Sequence, residues 1–357
     1  MFFYLGNDCN LLNKHREHLF TDLGWKQHGD IYYKGYCLDY NIDSNIDKIL
    51  GGDKPQGIYC VIQNNNIFNS DIRPFPLYRK GDELTNLKLK NFVEIEHNKY
   101  QLPTTQKSFD NVVKEIIEIL VENLSKVELN IWCSGGIDST MLIALAEYAK
   151  LPYTIHIAKP RIFRDIKHYE GAVEEYTSPL IEFCRKNYWA YAFLSNFNNK
   201  VITTGFYGDE YFCRSVWQIN ILANRIGKLG PDVVKETDYA YNQVNRFKAT
   251  LMLADITDAK RATLDTLGSS HVWHIDNTTT FCPIMDKRIV DCMWSLDENL
   301  LLDCAVNATV QKEIIKSTAP DVLSLVDKQK NTLLGRRNFF NNIEKVKLHS
   351  CTTIVVH

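Results

Sequence analysis

The feature that most constrains the fold is a short apolar segment that runs into two glycines and then into a helical pattern. Residues 128–133 (ELNIWC) have the composition of a buried strand, residues 134–140 (SGGIDST) form a turn, and an amphipathic helix is predicted over residues 140–149. The alternation continues with three more predicted elements: a strand at residues 153–158, a helix at 176–186 and a strand at 200–204. Such alternation predicts a parallel sheet covered by helices, and so an α/β fold.

The N-terminal part of the chain has a different pattern. Short runs rich in Tyr, Ile and Val are separated by Gly, Pro and Asn turns, and a hairpin is predicted from residues 57–62 into 67–68. Ser108 has the side chain of a helix N-cap and precedes a run of apolar residues at helical spacing. The sequence therefore predicts two domains, a small β-rich domain at residues 1–105 and, at residues 106–357, a doubly wound parallel sheet with appended helices.

Composition excludes several classes of function. The 41 Lys and Arg residues balance the 43 Asp and Glu residues to a net charge of -2, so no overall field attracts nucleic acid or an anionic membrane. No apolar run approaches the ~18 residues of a membrane span, and Asn7 and Asp8 interrupt the apolar N-terminus too early for a signal peptide. Ten cysteines are scattered singly without a C-x-x-C pair, which predicts reduced thiols and no structural zinc site. We therefore expect a cytoplasmic protein without a membrane partner.

The turn at residues 134–140 has the composition of an anion-binding loop. Gly135 and Gly136 allow backbone N–H groups to approach an anion without a Cβ atom in the way, and the following helix directs the positive end of its dipole to the same place. Three hydroxyl side chains can donate further hydrogen bonds: Ser134, Ser139 and Thr140. Taken alone, these residues also fit an ordinary Gly-Gly turn followed by a helix cap.

Asp138 places a carboxylate in the same turn, where an anion is expected to bind. A carboxylate and a phosphate are compatible there when a divalent cation lies between them, so Asp138 predicts Mg²⁺. The turn lacks the G-K-[ST] end of a Walker A loop and the G-x-G-x-x-G pattern of a dinucleotide fold, which excludes both of those nucleotide sites.

Residues 134–140 resemble the pyrophosphate loop of the N-type ATP pyrophosphatases (the PP-loop family), and in particular of the asparagine-synthetase-like amidotransferases and β-lactam synthetases. The resemblance implies an adenine nucleotide α-hydrolase-like fold, in which the loop binds the pyrophosphate of ATP while a substrate carboxylate attacks the α-phosphorus. Residues 203–210 (TTGFYGDE) are similar to the family's loop whose aspartate holds Mg²⁺, a role that falls to Asp209. Because the carboxyl ends of neighbouring parallel strands converge, Asp138 and Asp209 are expected around one metal ion. Without the first loop, a Gly-Asp pair at a strand end is equally typical of a turn.

Two later segments resemble the C-terminal part of the same family. Residues 282–291 (CPIMDKRIVD) look like the family's Pro-Phe-Leu-Asp segment entering a helix, where Asp286 is expected to cap the helix rather than to perform chemistry. Residues 311–316 and 328–331 resemble a lysine-bearing helix and a loop whose last lysine reaches the reacting centre, which implies that role for Lys330. A fixed cation there offsets charge that develops in the transition state, whereas the residue alone, without the resemblance, is more typical of a solvated surface lysine.

The resemblance weakens on the acceptor side. Residues 52–85 look like a reduced version of the family's N-terminal-nucleophile glutaminase domain, but the chain begins with Met1 and Phe2 in place of the cysteine nucleophile, so no glutamine hydrolysis is expected. Phe206 stands where the synthetases carry a glutamate or a tyrosine that handles the nucleophile. Tyr207 and Glu210 are the candidates to replace it.

The implied activity is that of an AMP-forming carbon–nitrogen ligase: a carboxylate is adenylated, pyrophosphate leaves, and an amine or ammonia takes the acyl group. ATP is expected to contact Ser134, Gly135, Gly136, Asp138, Ser139, Thr140 and Gly205. Mg²⁺ is expected at Asp138 and Asp209, and catalysis at Lys330, Asp209, Tyr207 and Glu210. Two alternatives stay open: a PP-loop enzyme that adenylates a nucleobase or lactam carbonyl for amination, and a catalytically inactive nucleotide-binding regulator.

The expected partners are a small-molecule carboxylate and an amine. A macromolecular acceptor and a homodimer are both compatible with the sequence. Residues 328–347 are basic, but they include only two aromatic residues that could stack on bases, Phe339 and Phe340, which argues against nucleic acid without excluding it.

Overall fold

The computed structural model describes part of the chain: residues 4–5, 25–37, 42–55, 57–64, 66–69, 78–85, 91–95, 103, 105–157, 201–205, 208–214, 279–326, 342–343 and 345–356. These residues form an α/β unit with a parallel sheet and two small antiparallel sheets. The helix predicted at residues 176–186 lies outside the described ranges. Within them, no helix has both the length and the apolar character that crossing a membrane requires.

The first antiparallel sheet confirms the predicted hairpin. Its strands, in spatial order, are β2 (Trp25–His28), β3 (Ile31–Cys37), β4 (Gly57–Gln63) and β5 (Asn66–Asn69). The hairpin β4–β5 pairs Gln63 with Asn66 across its turn. Helix α1 (Ile42–Leu50), which the sequence analysis did not predict, packs Ile46 and Ile49 against Tyr59 and Val61 of β4.

The second antiparallel sheet is smaller. Its strands, in spatial order, are β1 (Tyr4–Leu5), β7 (Glu83–Thr85), β6 (Tyr78–Lys80) and β8 (Val93–Glu94). Both sheets lie before residue 105, so the β-rich character predicted for this part of the chain is confirmed in the described ranges.

Helix α2 (Phe109–Leu124) opens the α/β unit and begins at its predicted cap. The Ser108 hydroxyl accepts a hydrogen bond from the Asn111 nitrogen at 3.4 Å. Such a cap satisfies one of the N–H groups that the first turn of a helix leaves without an intrahelical acceptor. One face of α2, including Val112, Ile116 and Leu120, is buried in the main core.

Five parallel strands form the central sheet of the α/β unit. They are β9 (Leu129–Trp132), β10 (Tyr153–Ile157), β11 (Val201–Thr203), β12 (Thr279–Phe281) and β13 (Cys351–Val356). Their spatial order is β12-β11-β9-β10-β13. The chain therefore passes from β9 to β10 on one side of it, and later places β11 on the other side of β9. The carboxyl ends of β9 and β11 flank this reversal, which is where α/β sheets open a crevice for ligands.

Helix α3 (Ile137–Tyr148) follows β9. The sequence predicted an amphipathic helix here, and this prediction is wrong. Residues 141–146 are all buried, so α3 is covered on every side of its middle turns. It packs against α7 (Thr309–Thr318) and a 3₁₀ helix (Pro320–Leu325), which supply the second apolar surface. A helix buried all round loses the polar face that an amphipathic pattern requires.

Three further helices complete the described unit: α4 (Gly208–Tyr211), α5 (Lys287–Trp294) and α6 (Glu298–Asn307). Asp286 caps α5, as predicted, because its carboxylate accepts a hydrogen bond from the Arg288 nitrogen at 2.9 Å. The same carboxylate is fully buried and accepts a hydrogen bond from the Asn123 amide at 3.0 Å. Asp286 is therefore a structural residue that joins α5 to α2.

Candidate functional site

The Gly-Gly turn leaves the N-terminus of α3 without a side-chain cap. Gly135 has a φ of 75°, a left-handed conformation that glycine adopts at no steric cost, and Gly136 is the N-cap residue. The N-cap of α3 makes no side-chain cap hydrogen bond, whereas the side chains of Ser108, Asp286 and Asp297 cap α2, α5 and α6. The first-turn N–H groups of α3 and the positive end of its dipole are thus directed at the carboxyl end of β9.

The hydroxyl groups of the turn have different roles in the structure. Ser139 is buried, its hydroxyl donates to the Gly136 carbonyl at 3.1 Å, and it accepts a hydrogen bond from the Ser134 nitrogen at 3.3 Å. It therefore braces the turn from inside. Thr140 is also buried, so Ser134 is the one exposed residue among Ser134, Ser139 and Thr140. Of the predicted phosphate ligands, Ser134 has the accessible hydroxyl.

The segment after β11 lies directly against the start of α3. A Cβ atom on Gly205 would lie 2.7 Å from the Ser139 nitrogen, closer than any real Cβ contact. A Cβ atom on Gly208 would overlap the carboxyl group of Asp138. Only glycine permits this approach at both positions, and the approach brings the two predicted loops together as the topology of the sheet requires.

Asp138 and Asp209 converge on a shared partner, the guanidinium group of Arg214. Its Nη1 atom lies 3.9 Å from Oδ1 of Asp138 and 3.4 Å from Oδ1 of Asp209. The Arg214 side chain is only 9% exposed, and its Nε atom donates to the carbonyl of Ala305 in α6 at 3.3 Å. The two carboxylates predicted to hold a metal ion therefore meet at one place, together with a cation that the sequence analysis did not identify.

A fourth side chain reaches this group from α7. The amide Nε2 of Gln311 donates to Oδ1 of Asp138 at 3.3 Å, and Gln311 is fully buried. The helix predicted at residues 311–316 is confirmed, since these residues lie in α7. The sequence did not predict that Gln311 lies near the site. No local signal could have identified it, because the contact spans 173 residues of sequence.

Buried polar atoms without hydrogen-bond partners are concentrated in the elements that meet here. Among the described residues, these atoms include Oγ1 of Thr140, Oγ1 of Thr203, Oδ1 of Asp209, Nη1 of Arg214 and Oε1 of Gln311. The Arg214 and Asp209 atoms are at ion-pair distance without hydrogen-bond geometry. Each unsatisfied buried polar group costs about 1–3 kcal/mol, so this end of the sheet has unused capacity for a polar ligand.

The donor set fits a metal ion that is bound together with phosphates. Across the described ranges, no three His, Cys, Asp or Glu side chains form a cluster that could hold a metal ion by themselves. Mg²⁺ is commonly held by one or two carboxylates with the remaining positions filled by water and substrate phosphates. Asp138 and Asp209 supply that number of carboxylates.

Cys133 ends β9 beside the turn but does not have the properties of a nucleophile. It is 1% exposed, and burial raises the pKa of its thiol to about 11, so the thiol is protonated at neutral pH. It is one of six cysteines that the structure describes as free thiols.

The remaining predicted residues are not placed by the structure. Phe206, Tyr207 and Lys330 lie outside the described ranges, and Glu210 is described only as a backbone position within α4. No model of a protein family matches the chain, and no curated protein matches it in sequence. The assignment of a function therefore depends on the motifs and on the geometry at β9 and β11.

Proposed function

We propose that this chain is an ATP-dependent ligase that adenylates a carboxylate, releases pyrophosphate and transfers the acyl group to an amine or ammonia. The observation that carries the proposal is the convergence of the uncapped N-terminus of α3 with Asp138 and Asp209. The convergence lies at the carboxyl ends of adjacent strands where the strand order reverses. It combines donors for phosphate oxygens with carboxylates for a cation.

The residues of the turn would bind the phosphates of ATP. The first-turn N–H groups of α3 and the exposed hydroxyl of Ser134 are donors to phosphate oxygens. Ser139 holds the turn in shape through its bonds to Gly136 and Ser134. A preorganised set of donors stabilises the departing pyrophosphate without the cost of reorganising the loop during the reaction.

Mg²⁺, when bound, would neutralise phosphate charge and favour departure of pyrophosphate. Asp138 and Asp209 would hold it, with Gln311 and the two glycines fixing the position of Asp138. In the first step the substrate carboxylate attacks the α-phosphorus and the bond to pyrophosphate breaks. In the second step the amine attacks the acyl carbon, AMP leaves, and the proton lost by the amine passes to a base.

Three further residues are expected to take part in catalysis. Lys330 would place a positive charge near the reacting phosphoryl group, as the family resemblance implies. Tyr207 or Glu210 would accept the amine proton in place of the residue missing at Phe206.

A nucleotide-binding regulator is the second candidate, and one observation favours it. Arg214 already neutralises part of the charge of Asp138 and Asp209, as expected if the carboxylates no longer serve catalysis. Such a regulator would bind ATP without turnover. An active ligase would instead exchange pyrophosphate with ATP in the presence of its carboxylate.

The test is ATP–pyrophosphate exchange with Mg²⁺ across a panel of amino acids and other carboxylates, with ATP binding measured by calorimetry on the same protein. Exchange with a particular acid supports the ligase. ATP binding without exchange or AMP release with any acid supports the regulator, and absence of both ATP binding and exchange contradicts both proposals.

Matched variants connect the exchange to the site. Asp138→Asn is expected to abolish exchange. Asp110→Asn removes a carboxylate from the same position in a helix, the first turn of α2, where the side chain is exposed, and is expected to leave exchange unchanged. Equal exchange by the wild type and Asp138→Asn would exclude the proposed metal site.

A further inference from the structure

Arg214 is a buried cation with no role in the adenylation chemistry proposed above. Its side chain is 9% exposed and lies between the carboxylates of Asp138 and Asp209. Its Nη1 atom is buried and has no hydrogen-bond partner in the part of the chain that the structure describes. A buried guanidinium nitrogen without a hydrogen-bond acceptor is unfavourable, so an acceptor oxygen of a bound ligand would be a favourable partner for it.

Two backbone contacts hold Arg214 in place independently of the carboxylates. Its backbone nitrogen donates to the carbonyl of Asp209 in the first turn of α4. Its Nε atom donates to the carbonyl of Ala305 in α6. Because both acceptors belong to the backbone of packed helices, the guanidinium group is a fixed part of the site.

The fixed positive charge changes what the carboxylate pair can bind. Asp138 and Asp209 together carry two negative charges, and Arg214 reduces the total to one. A free divalent cation beside these carboxylates would also lie close to the guanidinium group. At the effective dielectric of a protein site, repulsion by a unit charge about 4–5 Å away lowers the affinity for such a cation by at least about tenfold.

A phosphate-bearing ligand raises the affinity of the site for the divalent cation. Phosphate oxygens bring negative charge to the uncapped N-terminus of α3, add ligands for the cation and supply the acceptor that Nη1 of Arg214 lacks. Arginine is well suited to this contact because its planar guanidinium group remains charged and binds phosphate through more than one N–H group.

We propose that Arg214 makes divalent-cation binding at Asp138 and Asp209 conditional on a phosphate-bearing ligand, so that the free protein excludes the cation and the cation enters only with the ligand. The inference rests on the proposed function for the identity of that ligand, a nucleoside triphosphate. Its first half, exclusion of the free cation, requires only the three described side chains. Arg214 is thus a specificity-determining residue, selecting the metal–nucleotide complex over the metal alone.

The experiment is a titration of the nucleotide-free full-length chain with Mn²⁺, with bound and free ion separated by electron paramagnetic resonance. Arg214→Gln is expected to bind Mn²⁺ at least about tenfold more tightly than the wild type. In the double variant Asp209→Asn/Arg214→Gln the affinity is expected to return to the weak wild-type value. Lys114→Gln removes one positive charge from the exposed surface of α2 and is expected to behave as the wild type.

Two results would overturn the inference: a wild-type chain that binds free Mn²⁺ as tightly as Arg214→Gln, or a tight site that survives in the double variant. Circular dichroism verifies that each variant is folded. A second measurement uses only the wild type. At a Mn²⁺ concentration where the chain alone binds no ion, the chain with inorganic pyrophosphate is expected to bind Mn²⁺. The amount bound should exceed what pyrophosphate binds in a protein-free control. Equal retention in both conditions contradicts the inference. None of these measurements uses ATP or a carboxylate, so failure of the ligase proposal is recognised separately, in the exchange assay.

Discussion

Gly208 approaches Asp138 so closely that a Cβ atom at position 208 would overlap the Asp138 carboxyl group. Gly205 also approaches closely, with the Ser139 nitrogen at 2.7 Å and the Asp138 carbonyl carbon at 2.9 Å from the position of a Cβ atom. Neither glycine has a left-handed φ, so the requirement for glycine comes from the contact and not from backbone conformation. The two positions define how near the segment after β11 can lie to the uncapped end of α3.

Gly208→Ala is therefore expected to displace the Asp138 carboxyl group, because the end of that side chain is the part free to move. Overpacking of this kind costs about 1–3 kcal/mol of stability, and displacement of Asp138 is expected to weaken ATP binding. Urea unfolding and calorimetric titration with Mg-ATP measure the two effects. In an Asp138→Ala background the same substitution should cost less, since the two nearest atoms of Asp138 are absent; equal costs in both backgrounds would contradict the explanation.

Gly205→Ala is expected to destabilise the fold more than Gly208→Ala does. The atoms it would meet are the Ser139 nitrogen and the Asp138 carbonyl carbon, which belong to the backbone of α3 and cannot move without shifting the helix. Thermal unfolding of the two variants, compared side by side, ranks the costs. If the thermal unfolding midpoint of Gly205→Ala is equal to or higher than that of Gly208→Ala, the backbone of α3 shifts more easily than its packing implies, and the explanation is wrong.

The elements that could be predicted from sequence are those with strong local signals. The strand before the Gly-Gly turn, the Ser108 cap and the Asp286 cap each depend on residues within one or two turns of chain, and the structure has all three. The convergence of Asp138 with Asp209 could also be predicted, because parallel strand order constrains where loops meet.

The features that were missed depend on distant partners. Strand β13 is rich in β-branched residues, but its pairing with β10 joins residues 198 positions apart, as in the contact between Thr154 and Thr352. Arg214 and Gln311 carry no motif, and only tertiary packing brings them to Asp138. The amphipathic character predicted for α3 was wrong: residues 141–146 (MLIALA) are all apolar and all buried, and α7 and the 3₁₀ helix pack against the helix.

Glu147, near the end of α3, connects β10 to the start of β13. Its carboxylate accepts hydrogen bonds from the Tyr153 hydroxyl at 2.7 Å, the His349 nitrogen at 2.8 Å and the Ser350 nitrogen at 2.9 Å. Burial, with the neighbouring Glu147 carboxylate as the next cause, raises the pKa of Tyr153 well above its usual range, so its hydroxyl remains a donor.

Glu147→Ala removes the acceptor for all three groups and is expected to cost about 1–3 kcal/mol. The loss should be concentrated at β13, where hydrogen exchange of residues 351–356 is expected to accelerate. Glu147→Gln keeps one carbonyl acceptor and should have a smaller effect. If exchange accelerates equally throughout the sheet, Glu147 stabilises the whole unit and does not act on β13 specifically.

Asp286 is predicted to be important for stability and dispensable for chemistry. Asp286→Ala removes one acceptor from the Arg288 side chain and one from the buried Asn123 amide. Arg288, which is 38% exposed, keeps Glu122, and Asn123 keeps the carbonyl of Pro283, so the expected cost is about 1–3 kcal/mol. Asp286→Asn retains a capping oxygen and should remain folded. Its pyrophosphate exchange is expected to match that of the wild type, and a folded Asp286→Asn protein without exchange would assign Asp286 to the reaction.

The ion pair between Glu122 and Arg288 predicts a loss of stability in acid. A hydrogen bond from Arg288, followed by one from Lys126, lowers the pKa of Glu122 from 4.5 to about 2. A carboxyl group whose folded pKa is depressed stabilises the native state above its unfolded pKa, and this stabilisation disappears as the pH falls from 4.5 towards 2. Because the Glu122 side chain is 50% exposed, solvent screening limits the contribution to about 1 kcal/mol or less.

Glu122→Gln is accordingly expected to be less stable than the wild type at pH 7 and equally stable near pH 2, as measured by urea unfolding at both values. Glu118→Gln is the control, since Glu118 lies one turn away on α2 and approaches Lys114 only at 4.0 Å with both side chains exposed. Its difference from the wild type at pH 7 should be smaller. A Glu122→Gln deficit that persists unchanged near pH 2 would mean that the side chain acts through packing, because a charge interaction must vanish once the carboxylate is protonated.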